Sequence, residues 1–294
     1  MFPKDTVLVA MYGATAGQVG ILRFEATTNQ AICGVLPNKQ FIPDFLYYFL
    51  KSKKNALVAQ ADGNAQPNIS QNKIRNTEVP LAPLSDQQRI TSILKAIDDL
   101  RQKQRKALEL TRQMIPALFY EMFSLDQFRT NVLKDLVKIH YGKALKNSNR
   151  KTGACPVFGS NGCIGFHDEA LVKSPTIIIG RKGSVGKVIF AENGGWPIDT
   201  TYYVEPVEKI DLFYLYWALK LSNLERLAIS TSLPGLNRNT LYATPILVPP
   251  IELQNMFTQK AQESLSLLMH QELSLKKLDL LFESMLHEVF GEKE

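Results

Sequence analysis

The residues of this 294-residue chain with the most evident capacity for chemistry are hydrogen-bond donors gathered in three places. Lys143, Lys146, Asn147, Ser148, Asn149, Arg150 and Lys151 precede a glycine-rich turn. Arg181, Lys182, Ser184 and Lys187 share the stretch Gly180-Arg181-Lys182-Gly183-Ser184-Val185-Gly186-Lys187, and Thr231, Ser232, Asn237, Arg238 and Asn239 form a third polar group. Lys and Arg bind phosphate oxygens whatever the sequence, Arg bridges the O6 and N7 acceptors of guanine, Asn does the same for adenine, and Thr packs on a thymine methyl. Such a set suits a surface facing a nucleic-acid groove. Residues 140–190 hold eight Lys/Arg against two acids, a local excess that equals the +6 of the whole chain. A basic or polar loop is equally often a solvated face, so architecture has to decide between the two.

Catalytic readings of the same residues fail on spacing. Five residues separate Gly180 from Gly186 where a phosphate-binding loop requires four, and Val188 stands where that loop needs Ser or Thr. The first half of the chain has Gln18 where the second has Lys187. Pro249-Pro250 lacks a preceding Asn or Asp and a following aromatic, so it does not match the tetrad with which amino-methyltransferases hold a flipped base. Cys155, Cys163 and His167 offer three groups and no close Cys pair, too little for zinc. The chain is therefore expected to carry no catalytic residue, metal or cofactor. Its three cysteines, Cys33, Cys155 and Cys163, read as free thiols of a reducing compartment. No run approaches the roughly 18 apolar residues of a membrane span, and the N-terminus does not read as a secretory signal. The expectation is a cytoplasmic protein with no membrane contact, of ordinary globular composition and a length that suits two domains.

An internal repeat sets the architecture. Pro83-Leu84 and Gln87 recur as Pro250-Ile251 and Gln254, and the offset of 167 holds without a gap to Glu121-Met122-Phe123 against Glu288-Val289-Phe290. Upstream, Pro67 and Ile69 match Pro234 and Leu236, Leu46-Tyr47-Tyr48-Phe49-Leu50 matches Leu215-Tyr216-Trp217-Ala218-Leu219, and Thr15-Ala16-Gly17 answers Ser184-Val185-Gly186. Each copy reads as a globular segment followed by one long helix, about 84–123 and 251–290, on the order of 60 Å each. Leu268, Leu275, Phe282 and Val289 share one heptad position, with Leu278 and Met285 beside them. In the first helix Ile93, Leu100, Ala107 and Met114 make one row, and Leu94, Leu108, Ile115 and Met122 another that Arg101 interrupts. Pro116 predicts a kink or a break near Arg112, and Ser85 a helix cap. The globular parts read as mixed α/β. Val7-Leu8-Val9 and Thr176-Ile177-Ile178-Ile179 are strands, Asp44–Leu57 and Leu212–Leu227 embedded helices with an aromatic core stripe, and the glycine-rich 180–187 stretch a tight strand connection.

The combination resembles the specificity subunit of type I restriction-modification enzymes. Pro156-Val157-Phe158-Gly159-Ser160-Asn161-Gly162 with Ile164-Gly165-Phe166-His167-Asp168 is similar to that family's first target-recognition motif. The order then continues through Thr176–Gly186 to Trp196-Pro197-Ile198-Asp199-Thr200-Thr201-Tyr202-Tyr203, and the exit segments Val79–Leu84 and Ile246–Ile251 fit the same pattern. The resemblance implies α/β (α+β) target-recognition domains alternating with two long helices that form an antiparallel coiled coil, in a pseudo-twofold internal repeat. Its domains would be a partial recognition domain at 1–82, a spacer helix at 83–125, a second recognition domain at 126–250 and a second spacer helix at 251–294. It further implies that each domain reads half of a bipartite site in double-stranded DNA. Two DNA methyltransferase subunits holding S-adenosylmethionine, and restriction subunits holding the ATP- and Mg-dependent motor and nuclease, would assemble around it. The pattern departs at the start, where Asp5 aligns near Ser174, so counterparts of about 126–170 are missing from the first copy. A coiled-coil adaptor or inhibitor that no longer reads DNA is the alternative.

Overall fold

The computed structural model describes residues 1–61, 68–123, 128–228 and 235–291, and the chain divides into two compact units. Unit 1 comprises Met1–Glu109 with Met269–Glu294, and unit 2 Leu110–Leu268. In unit 1 the β-branched run becomes β1 (Val7–Ala10), paired antiparallel with β2 (Val19–Ile21) and β3 (Ile32–Val35) in the order β2-β1-β3. Then come α1 (Pro43–Ser52), α2 (Lys54–Ala59) and α3 (Gln71–Arg75), and the long α4 (Leu84–Met122) whose first part belongs here. Pro43 opens α1, where its missing N–H costs nothing, and the helix buries Phe45, Leu46, Tyr48, Phe49 and Leu50 in the unit's core. The aromatic stripe is core, as its spacing implies.

Unit 2 holds β4 (Thr130–Val132), α5 (Leu133–Leu136), β5 (Val137–Tyr141), β6 (Cys155–Gly159), β7 (Gly162–His167), β8 (Thr176–Gly180), β9 (Val188–Ala191), β10 (Trp196–Pro197) and β11 (Thr201–Pro206). They are followed by α6 (Leu212–Leu221), α7 (Arg238–Tyr242), β12 (Pro245–Leu247) and the long α8 (Ile251–Phe290). The main sheet runs β5-β11-β8-β9, all antiparallel, beside a β10-β6-β7 sheet and a β12-β4 pair. Strand β8 is buried along its whole length, which is why Thr176–Gly180 reads as an unbroken apolar run and does not alternate.

The repeat is visible atom by atom. In unit 1 the buried Gln87 side chain accepts the Ile42 N–H at 2.9 Å and donates to the carbonyls of Gln40 and Ala82. In unit 2 Gln254 accepts the Asp211 N–H at 2.8 Å and donates to the Pro249 carbonyl. Lys51 donates to Tyr47 as Lys220 does to Tyr216. The Gly17 N–H reaches the Ala10 carbonyl as Gly186 reaches Gly180, and both glycines adopt φ near +76°. Unit 1 shows no counterpart of β5, β6 and β7 among the described residues.

Both long helices form, and each extends through residues of both units. Arg101 of α4 bonds Asp279 and Gln104 bonds the Gln271 carbonyl, so partner numbers fall as α4 numbers rise and the pairing is antiparallel. In α8 the row Leu268, Leu275, Phe282 and Val289 is buried or half-buried. In α4 the buried row is Leu94, Arg101, Leu108 and Ile115; Ile93, Leu100 and Met114 face solvent at 42%, 52% and 49% exposure. Arg101 therefore does not interrupt the seam but belongs to it, and the Ile93 row is an outer face. Pro116 lies within α4 without ending it, and Ser85 lies inside the helix, which Pro83 opens through its carbonyl.

Candidate nucleic-acid interface

One end of the main sheet of unit 2 collects the residues best placed to meet a ligand. Arg181 follows β8 directly, its N–H donating to the Thr200 carbonyl and its own carbonyl accepting from Leu236, both at 2.9 Å. The peptide is thus fixed on both sides. Its Nη1 donates to the Asp199 carbonyl at 3.0 Å, and its guanidinium carbon lies 5.0 Å from the centre of the Tyr141 ring. Tyr141 ends β5 and is 49% exposed. Arg238 comes from the start of α7, which Asn237 caps by accepting the Asn239 N–H at 2.8 Å, and its guanidinium lies 5.1 Å from the same ring. Lys182 bridges to Gly235 and is exposed, as are Asn237 and Asn239. Neither arginine is ion-paired among the described residues.

Beneath this cluster the Tyr202 ring lies 5.1 Å from that of Tyr141, and its hydroxyl donates to the Leu236 carbonyl at 2.9 Å. Burial first, then Tyr141, pushes the Tyr202 phenol up to about 12, while the charges of Arg181 and Arg238 pull it down. Gly183 and Gly186 turn the β8–β9 connection with φ of 78° and 77°, and a Cβ on Gly186 would meet the Glu225 nitrogen at 2.5 Å. That connection is the expected tight turn, and it needs glycine there.

The other expected site residues have different settings. Lys187 Nζ donates to the Asn161 carbonyl and Oδ1 at 2.8 and 2.7 Å, and the Ser184 N–H donates to Ser160 Oγ, so both tie the β8–β9 turn to the β6–β7 turn. Arg150 donates to the Ile164 carbonyl at 2.9 Å and is half-buried against Gly165. The Lys151 N–H donates to His167 Nδ1, with its Nζ 3.7 Å from Asp168. Lys143 lies 5.8 Å from the centre of the Trp196 ring, and its carbonyl accepts the indole N–H. Lys146, Asn147, Ser148 and Asn149 are exposed around a short 3-10 turn. Thr231 and Ser232 lie outside the described residues. The structure thus joins Arg181, Lys182, Asn237, Arg238 and Asn239, whereas Lys143 meets β10 and Arg150 and Lys151 meet β7.

Sequence reasoning missed Tyr141 and Tyr202, whose strands look like ordinary core strands. The available signal was an aromatic at a strand end followed by Gly142 and Lys143. In unit 1 the Ile69 N–H reaches the Met11 carbonyl as Leu236 reaches Arg181, which makes Met11 the counterpart of Arg181. At the repeat offset Gln71 answers Arg238, so the arginine pair belongs to unit 2 alone.

No group of three or more His, Cys, Asp or Glu able to hold a metal occurs among the described residues. No helix among them is long and apolar enough to cross a membrane. The duplicated α/β unit, the heptad helix after each copy and the cationic sheet end define a class of protein with paired recognition domains carried on long helices. The chain belongs to the type I restriction modification DNA specificity domain family, whose profile matches residues 1–110 and 126–261. It is similar to the type I restriction enzyme MjaIX specificity subunit of Methanocaldococcus jannaschii, 29% identical over 125 residues, which is 42% of this chain and 29% of that protein. The matched stretch is thus under a third of that relative's length. The fold is shared with the S subunit of a type I restriction-modification system from M. genitalium, with TM-score 0.73 and 21% identity over 100% of this chain and 85% of that one. A chain from a structural study of complex assembly in the type I R-M system aligns with TM-score 0.64 and 20% identity, over 98% of this chain and 82% of that one.

Proposed function

We propose that the chain is the DNA-reading subunit of a type I restriction-modification assembly and itself catalyses nothing. The observation that carries this is the pair Arg181 and Arg238, two cations gathered without a carboxylate partner at the sheet end of a DNA specificity domain. Lys182, Asn237 and Asn239 extend that surface, and Lys143, Lys146, Asn147 and Asn149 offer a second exposed basic segment. On this reading 126–250 is a half-site reader, 1–82 a partial one, and 83–125 and 251–294 are spacers. The partners are double-stranded DNA, two methyltransferase subunits and restriction subunits. S-adenosylmethionine, ATP and Mg belong to those subunits, and the setting is the cytoplasm. The outer apolar residues Ile93 and Leu100 of α4 and Leu273 and Leu280 of α8 suit helical docking of partners. Co-expression is expected to yield a complex with two methyltransferase copies, measured by analytical ultracentrifugation.

The test of DNA reading is Arg181→Ala and Arg238→Ala against randomised duplexes. Losing a base-reading arginine is expected to cost about 1–3 kcal/mol at one base position. Lys146→Ala is expected instead to weaken binding to every sequence and to reduce the salt slope by about one. Unchanged preference and salt dependence in both arginine variants would leave the adaptor reading in its place.

A further inference from the structure

We infer that Tyr141 is a specificity-determining positioning residue whose ring holds Arg181 and Arg238 together as a preset fork for the acceptor edge of guanine. This rests on the DNA reading above and adds to it a residue and a base. Both guanidinium groups lie about 5 Å from one ring centre, so two like charges are gathered at one ring with no carboxylate partner among the described residues. The negative face of an aromatic ring offsets part of that like-charge cost, and an acceptor-rich ligand supplies the rest. Tyr141 is itself held, by backbone pairing opposite Tyr202 and by the Tyr202 ring at 5.1 Å. Tyr202 in turn is bonded to Leu236, whose N–H fixes the Arg181 carbonyl. The platform is therefore continuous from β5 through β11 to the residues flanking both arginines.

Among the described residues only one side-chain donor of Arg181 is used internally, at the Asp199 carbonyl, which leaves the rest of its planar fork for a ligand. A phosphate contact needs a point charge and tolerates a rotating side chain. A fork held in one orientation gains where two acceptors at fixed spacing face it, as guanine O6 and N7 do.

The experiment selects randomised duplexes on the full chain and compares the wild type with Tyr141→Phe and Tyr141→Ala. The wild-type pool is expected to be rich in guanine at one or two adjacent positions, and Tyr141→Phe, which keeps the ring, to match it. Tyr141→Ala is expected to lower that guanine preference about tenfold, with unchanged binding to unrelated duplex and unchanged salt slope. Replacing the read guanine by 7-deazaguanine should weaken the wild type by a similar factor and Tyr141→Ala little further. Retained preference in Tyr141→Ala overturns the inference, and so does a uniform loss on all sequences with a shallower salt slope, which would mark a phosphate clamp. Loss of preference in Tyr141→Phe as well would place the role in the hydroxyl and overturn the platform. A wild-type pool without any base preference removes the DNA reading itself and this inference with it. If Tyr141→Ala loses its thermal unfolding transition, Arg181→Lys decides: charge kept and fork lost, it is expected to relax the same positions, and an unrelaxed site refutes the fork.

Discussion

Gln87 and Gln254 do the same work in the two units, and their chemistry says how much. Each is a buried amide that closes a backbone N–H at the entry to an aromatic helix and a carbonyl just before a long helix. Gln254→Met keeps the volume and removes both bonds, stranding the Asp211 N–H and the Pro249 carbonyl. The expected cost is about 1–3 kcal/mol for each stranded group, read from urea unfolding; a loss below about 0.5 kcal/mol would show that solvent reaches the site. Tyr202 carries a pH consequence. Its folded phenol ionises at about 12 against an ordinary value near 10, so its contribution to stability is whole below pH 10 and fades as pH rises towards 12. Thermal melts of Tyr202→Phe are expected to show a smaller alkaline fall over that window than the wild type. The glutamines were legible because they repeat. Arg150 and Lys187 were legible as cations but not as braces, since their partners Ile164 and Asn161 are met only when β7 and the β6–β7 turn fold against them.

Arg101 explains why one helix was read better than the other. In sequence it breaks a row of aliphatic residues, whereas in the folded helix pair it is 7% exposed within that row. Its guanidinium bonds Asp98 and Asp279, and its carbon lies 4.2 Å above the centre of the Phe282 ring. Asp279 lies far along the chain, so no local pattern reveals the pairing. The flat guanidinium and apolar stem then fill the seam as a leucine would, and the Ile93 row turns outward. Removing one member of a buried ion pair costs more than replacing the pair. Arg101→Ala is expected to destabilise the fold by about 3 kcal/mol, and Arg101→Leu combined with Asp98→Leu by much less, both read from chemical unfolding. Equal losses in the two would refute the stranded-charge account. For a related reason Pro116 does not break the helix: one lost backbone bond is a small deficit in a 39-residue helix whose neighbours Ile115 and Phe119 are locked in the core of unit 2.

At the scale of the molecule the repeat and the long helices were legible, because a fixed offset and a heptad survive without knowledge of contacts. The division into units was not. The sequence suggests four successive blocks, whereas the compact units cut across both long helices, and unit 2 is an uninterrupted middle segment inserted into a unit built from the two ends. That arrangement has a consequence for synthesis. Unit 2 needs nothing beyond residue 268, but Leu94 and Ile97, made long before, must wait for Phe282 and Leu286 to complete their core. At roughly 5–20 residues per second the delay is on the order of ten to forty seconds. A released chain ending at 268 is expected to resist protease through unit 2 and to be cut within 1–109, and protection of both would show that the first segment folds unaided. During that interval the apolar seam of α4 is the part of the nascent chain most in need of a chaperone.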